Sequence, residues 1–346
     1  MTERRRNQRG AALLIVLILA ATASVIAVAL VDDLAFAVRR TANVAARDQA
    51  RWHALGAESL AKALLQTEYD ALATGAERTF RQTAEAQWNT APTRFPIEGG
   101  EITARIEDDT RCFNLNSLVR LDNGDYRVDP DAVDQYRLLL AAIGVSGGEG
   151  QALIDGVVDW LDTDDIRSPV GAEDNHYRAL KPPYATADTL FVDVSELRAV
   201  RGYTREVYAA VAPYLCAHPG VQGVAPSPVN VNLLTEAHGP IIYMLADGRI
   251  ASPRDAARFA ASIPPEGYES AGDFWDALRA VATEPDPNTP TPFQREQGAP
   301  VQVWSKYYRI TTRVAYYGAY MEAGAALTMS DQGRVTTSSR HLGAEG

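Results

Sequence analysis

Sulfur and imidazole are scarce in this chain: 346 residues contain 2 cysteines, 4 methionines and 5 histidines. The histidines (His53, His176, His218, His238, His341) are scattered, and no CxxC pair or Cys/His zinc spacing occurs. HExxH, GxSxG, a P-loop and GxGxxG are also missing, which removes the enzyme classes those motifs serve. Positive charge is in deficit, 33 Lys and Arg against 44 Asp and Glu, for a net charge of −11. That balance argues against nucleic acid as a partner. Ser59-Leu60-Ala61-Lys62 fits S-x-x-K, but it falls on a predicted long helix without companion motifs and reads as a chance match.

Long apolar runs are equally rare, and the single exception organises the chain. Residues Ala11 to Val31 carry no charge and end at Asp32-Asp33. At about 1.5 Å per residue this stretch makes a helix of roughly 31 Å, enough to cross a bilayer core. Before it stand Arg4, Arg5, Arg6 and Arg9 against Glu3, a bias that keeps the N-terminus cytoplasmic and sends the remainder across. Three processing routes compete: an uncleaved anchor, a secretory signal cut after Ala27-Val28-Ala29, or a cut between Gly10 and Ala11 that leaves the apolar helix on the mature protein. The run exceeds the usual signal-peptide core of about 7–15 residues. The helical pattern also continues through Leu34, Val38, Ala42 and Ala45 to Leu55, Leu60 and Leu64, so a cut at Ala29 would halve a helix.

The rest of the chain reads in order as follows. One amphipathic helix extends to about Tyr69, with residues 71–96 as short helix and loop. Alternation from Ile97 through Ile102, Ala104 and Ile106 predicts a strand. From Pro130 to about Pro292 helices dominate: Pro130–Ile143, Glu149–Leu161, Ser195–Val200, Arg205–Leu215, Leu233–Leu245, Pro253–Ala261 and Ala271–Ala282. The helix–Gly–helix pattern around Gly202 is of helix-hairpin-helix or sterile-alpha-motif type, and acidity favours a structural role for it. Val229-Asn230-Val231-Asn232 echoes Asn114-Leu115-Asn116, a pairing suited to fixing turns. A Pro-rich linker at 284–292 precedes β-rich sequence from Val301, where Tyr307, Tyr308, Tyr316, Tyr317 and Tyr320 suit sheet and interface packing better than a sugar platform.

Cys112 and Cys216 have no other cysteine to pair with. In an oxidising compartment a bridge is the simplest reading; two buried thiols are the alternative. A bridge would close a loop of about 105 residues, worth on the order of 4–5 kcal/mol in the chain-entropy model.

The densest polar cluster runs from Asp159 to Tyr177. Asp162, Asp164 and Glu173 fall at positions 1, 3 and 12 of a notional EF-hand loop, but Arg167 replaces the glycine needed at position 6, so an EF-hand is rejected. Taken bare, the segment reads as a solvated acidic loop; several carboxylates on a Pro/Gly-punctuated loop also suit a hard cation. Asp164 and Asp165, adjacent on one loop, are poorly placed to act across a substrate as a hydrolase pair.

Arg9-Gly10-Ala11-Ala12-Leu13-Leu14, Asn114-Leu115-Asn116 and the segment from Asp159-Trp160 to Gly171-Ala172-Glu173-Asp174 and Tyr177 together resemble the K-type minor pseudopilins of type II secretion systems (general secretion pathway protein K). The resemblance covers most of residues 4–330. It implies an α+β, pilin-like fold, with a long N-terminal transmembrane helix packed on an antiparallel sheet and a large inserted all-α domain. The expected layout is a leader at 1–10, a transmembrane helix at 11–31, a pilin-like domain at 32–128 and 293–346, and the insert at 129–292. Prepilin peptidase would cut after Gly10 and methylate the new amine of Ala11. The fifth mature residue is Ile15, where major pilins carry Glu, which fits a subunit at the filament tip with nothing above it.

The resemblance further implies calcium, with Asp162, Asp164, Asp165, Glu173 and Asp174 as candidate ligands and Asp159 a bystander. Implied partners are the I- and J-type minor pseudopilins, the major pseudopilin, the inner membrane and exported cargo, with the body in the periplasm. A membrane-anchored periplasmic metal-dependent enzyme and a secreted calcium-binding adhesin are the competing expectations.

Overall fold

The structure, a computed structural model, describes residues 2–73, 82–83, 86, 88, 91–219, 228–283, 301–330 and 332–343. The Pro-rich segment at 284–292 lies outside the described residues. One helix, α1 (Thr2–Ala73), takes in the entire apolar run and continues unbroken beyond it. It contains the only stretch among the described residues long and apolar enough to cross a membrane.

The C-terminal half of α1 lies across a five-stranded antiparallel sheet, and alanines make the contact. Ala46, Ala50, Ala54, Ala57 and Ala61, with Leu65, are buried at helical spacing. Small side chains let the helix sit close to Ile102, Val314 and Ile310 of the sheet. Leu34, Val38, Leu60 and Leu64, which carry the apolar periodicity in the sequence, are exposed. The helix is therefore apolar on two faces, and among the described residues the alanine face is the one that packs on the sheet.

The sheet comprises β1 (Thr93–Ile97), β2 (Gly100–Asp108), β9 (Tyr307–Tyr316), β10 (Ala319–Met329) and β11 (Val335–Leu342), in the order β1-β2-β9-β10-β11. The sequence reads one strand from Ile97; the structure forms a hairpin, because Gly99 takes φ +83° and reverses the chain. Pro96 is tolerated because β1 is an edge strand.

Between β2 and β9 the chain builds the helical unit. Its helices are α2 (Pro130–Ala142), α3 (Gly147–Leu161), α4 (Asp174–Tyr177), α5 (Arg205–Val211), α6 (Gly239–Leu245), α7 (Pro253–Ala261) and α8 (Ala271–Val281). The strands are short: β3 (Phe113–Asn114), β4 (Val119–Asp122), β5 (Asp125–Val128), β6 (Leu215–Cys216), β7 (Val229–Asn230) and β8 (Val301–Gln302). Several helix starts follow from sequence chemistry. Asp129 caps α2 with Pro130 in its first turn, Ser252 caps α7 ahead of Pro253, and Ser270 with Asp273 forms a capping box on α8. The expected helix Leu233–Leu245 starts later, at Gly239, because Val231–Leu233 and Glu236–His238 wind as separate 3₁₀ turns. The expected helix Arg205–Leu215 ends at Val211, where Pro213 diverts the chain through a 3₁₀ turn.

Residues flanking 129–292 on both sides pack with the helices of this unit. Phe113, Leu115, Leu118 and Val119 belong to its core, β3 pairs parallel with β6, and β7 pairs parallel with β8. The unit sits at the end of α1 remote from the apolar run, since its Leu233 shares a core with Ala61 and Leu65.

Candidate functional site

The acidic segment is anchored on α3, whose last turns carry Asp155 and Asp159, with Asp162 as the residue that ends it. The returning loop is pinned to the helix by these acids. The Val170 N–H donates to Asp155 Oδ2 (3.1 Å) and the Ser168 N–H to Asp159 Oδ1 (3.0 Å). Gly171 permits this approach: a Cβ there would lie 2.1 Å from Asp159 Oδ2. Asp164 closes its own turn, accepting from the Ile166 N–H at 2.8 Å. The fold thus brings Asp159, Asp162, Asp164, Glu173 and Asp188 within electrostatic range of one another.

Two of these carboxylates are buried, Asp162 at 4% exposure and Glu173 at 6%. Among the described residues, Asp162 Oδ1 and Glu173 Oε1 have no hydrogen-bond partner. Burial, reinforced by the neighbouring acids, pushes Asp162 up to about 8 and Glu173 up to about 7. Unsatisfied buried carboxylate oxygens facing further carboxylates are costly without a counter-charge. The donor set is all hard oxygen, the kind a calcium ion takes, so the residues fit that ion.

The sequence-derived ligand set divides on inspection. Asp162, Asp164 and Glu173 come together. Asp165 is exposed. Asp174 faces elsewhere, accepting from the N–H and Oγ1 of Thr186, both at 2.9 Å, and pairing with Arg178. Asp159 holds the loop through the Ser168 N–H, and its charge raises both buried acids. Asp188 escaped the sequence reading because it lies far along the chain from Asp164. It stands at φ 48° with its N–H on Trp160 O (3.1 Å), next to the end of α3. No local motif signals that return.

The other named residues fall as follows. Gly10 and Ala11 lie within the backbone of α1. Cys112 and Cys216 are disulfide-bonded, with their Cα atoms 5.7 Å apart, beside the β3–β6 pair. Ser59 Oγ donates to Leu55 O and Lys62 pairs with Glu58, so the S-x-x-K match has no shared chemistry. Tyr307 and Tyr308 are buried in the sheet, whereas Tyr317 and Tyr320 are exposed.

Residues 111–220, which hold the acidic site and both cysteines, match the family model described as type II secretion system (T2SS), protein K. The chain is 38% identical over 240 residues to type II secretion system protein K of Pectobacterium carotovorum subsp. carotovorum, covering 69% of this chain and 70% of that protein. It belongs to the type II secretion system protein K family. Identity to the Aeromonas hydrophila member is 34%, covering 80% of this chain and 82% of that protein. The Pseudomonas aeruginosa member is 30% identical across 99% of this chain and 95% of its own length. In fold, the chain resembles the GspK-GspI-GspJ complex structure from enterotoxigenic Escherichia coli, with a TM-score of 0.71 and 22% identity over 88% of this chain and 100% of that one. The pilin-like frame with a large helical insertion is therefore the family's fold, and the chain is a minor pseudopilin.

Proposed function

We propose that this subunit caps the tip of the pseudopilus, with its N-terminal helix in the inner membrane before assembly and its body in the periplasm. The supporting observation is the placement of mass. The helical unit packs at the end of α1 remote from the apolar run, over Ala61 and Leu65, where it would block a successor. Ile15 agrees, since it offers no carboxylate to recruit another subunit's terminal amine. Cleavage after Gly10 by the prepilin peptidase, with methylation of Ala11, precedes assembly in this reading.

The partners are the I- and J-type minor pseudopilins, and below them the major pseudopilin. They dock on the face of α1 left uncovered here, where Trp52 is 68% exposed and Leu60 50%. Helices that share the membrane rise beside α1 and cover that stripe. Exported cargo is met at the tip, and the subunit acts through packing rather than bond-making. A gold label on the helical unit should mark one end of each isolated filament. Label spaced along the shaft contradicts the tip assignment.

Calcium belongs to the same proposal. Asp162, Glu173 and Asp164 would hold the ion, with Asp188 beside them and Asp159 positioning the loop. The ion would supply positive charge to buried oxygens that have no hydrogen-bond partner among the described residues. Thermal melts of the detergent-solubilised chain with calcium and with EDTA test it; identical melting curves would remove it.

A further inference from the structure

A second group of ligand-type side chains lies outside the acidic loop. The nearest donor atoms of Cys112, Cys216 and His218 all fall within 4.8 Å of one another, and all three residues are buried. Sequence spacing hides the group, because it forms only when β3 pairs with β6 and brings Cys112 to the Cys216-x-His218 segment.

We propose that the dithiol form of this chain, the state preceding formation of the bridge, binds one zinc ion through Cys112 Sγ, Cys216 Sγ and His218 Nε2. Two thiolates and an imidazole form a soft donor set characteristic of zinc. Cys112 Sγ lies 3.8 Å from His218 Nε2. Tetrahedral bonds of about 2.3 Å to sulfur and 2.0 Å to nitrogen place such atoms roughly 3.5 Å apart, so that pair is nearly in place.

The imidazole is held as a ligand would be. Its ring stacks on Tyr307 with centroids 3.9 Å apart and planes 4° from parallel. Its backbone N–H donates to Asn114 Oδ1 at 3.0 Å. Nδ1 faces Asp109 Oδ2 at 3.9 Å, and Arg309 Nη2 fixes that carboxylate through its other oxygen at 2.9 Å. A carboxylate behind the non-ligating nitrogen is the usual support of a metal-bound histidine. In the bridged form Nε2 carries the proton and donates to Asp109 O at 2.5 Å. Metal capture leaves the imidazole proton on Nδ1, towards the Asp109 carboxylate, and frees Nε2. The two thiols release their protons to solvent as the zinc–sulfur bonds form, so no oxidant or reductant takes part. A cleft of about 270 Å³, lined by Asp109, His218 and Arg309, reaches His218 from outside. Zinc and the disulfide are thus alternative occupants of one position.

The test uses the full-length chain in detergent with calcium in excess, prepared bridged and, after phosphine reduction and removal of the reductant, as the dithiol. Zinc uptake is measured by equilibrium dialysis and the ligand shell by X-ray absorption at the zinc edge. The expected result is one additional zinc per dithiol chain, with two sulfurs and one imidazole in the shell, and a loss of affinity of at least about tenfold in His218→Gln. Equal uptake by both forms overturns the proposal. So does a shell without imidazole, a reading on the wild-type chain that holds even if His218→Gln fails to fold.

Discussion

Asn116 and Asn232 perform the same task in the two halves of the helical unit. The Asn116 carboxamide accepts from the Phe191 N–H at 2.8 Å and donates to Phe191 O at 2.9 Å. The Asn232 carboxamide accepts from the Tyr268 N–H at 2.7 Å and donates to Tyr268 O at 3.0 Å. Each partner lies two residues ahead of a helix cap, Asp193 in one case and Ser270 in the other. Each Asn follows another, Asn114 or Asn230, whose side chain accepts from its backbone N–H. The echo in the sequence is therefore a repeated clamp: a short strand, an Asn-x-Asn turn and a side chain that pairs like a strand with the entry to a helix.

That clamp gives the first prediction. Asn116→Ala removes the pairing with Phe191 and a bond to His218 O at 2.8 Å, leaving buried backbone groups unsatisfied. The expected loss is about 3 kcal/mol in denaturant unfolding, against less than about 0.5 kcal/mol for the exposed Asn175→Ala. Equal effects would refute the clamp.

Glu58 gives the second. It is buried on α1 and bonded by Arg340 of β11 at 2.6 and 2.8 Å, with Lys62 at 3.0 Å. The Arg340 guanidinium leads in lowering its pKa from 4.5 to about 2, against the opposing effect of burial. A depressed carboxylate stabilises fully above its unfolded value and loses that contribution as pH falls towards the folded value. Glu58→Gln should therefore destabilise by on the order of 3 kcal/mol at neutral pH, the gap closing between about pH 4.5 and pH 2. Thermal melts of both proteins across that window check it; a pH-independent gap contradicts it.

The acidic site gives the third. Glu173 Oε1 is buried, has no hydrogen-bond partner among the described residues and faces like charges. Glu173→Gln should raise stability slightly when EDTA is present and abolish any stabilisation by added calcium. A variant that still gains as much from calcium as the wild type would remove Glu173 from the site.

Gly171 gives the fourth. A methyl group would meet Asp159 Oδ2 at 2.1 Å and Asp155 O at 2.8 Å, so the loop must leave α3. Gly171→Ala should cost about 1–3 kcal/mol and weaken the calcium response together with stability. An unchanged melting curve would show that the loop is not held as described.

The legible parts of the fold had local chemistry behind them. The uninterrupted helix, the capped starts at Asp129, Ser252 and Ser270, and the β9–β10 turn at Tyr317-Gly318 are written in neighbouring residues. The less legible parts depend on distant pairing. β3, β6, β7 and β8 are two-residue strands with no pattern to detect, yet they fix where the helical unit begins and ends. On α1 the most hydrophobic periodic residues, Leu34, Leu60 and Leu64, are exposed while the alanines and Leu65 make the contact, because close approach to the sheet favours small side chains. In the acidic site, Asp162, Asp164 and Glu173 were visible as a segment. Asp188 lies outside that segment, and Asp174, equivalent to the others in sequence, is occupied by Thr186 and Arg178.

A membrane-borne pilin-like subunit of this kind is expected to keep its apolar helix and lose the arginine-rich leader. Intact mass and N-terminal sequencing of the protein from cells with an active prepilin peptidase test it most directly. The mature chain is expected to begin at Ala11; one beginning at Met1, or at Leu30, rules out cleavage after Gly10.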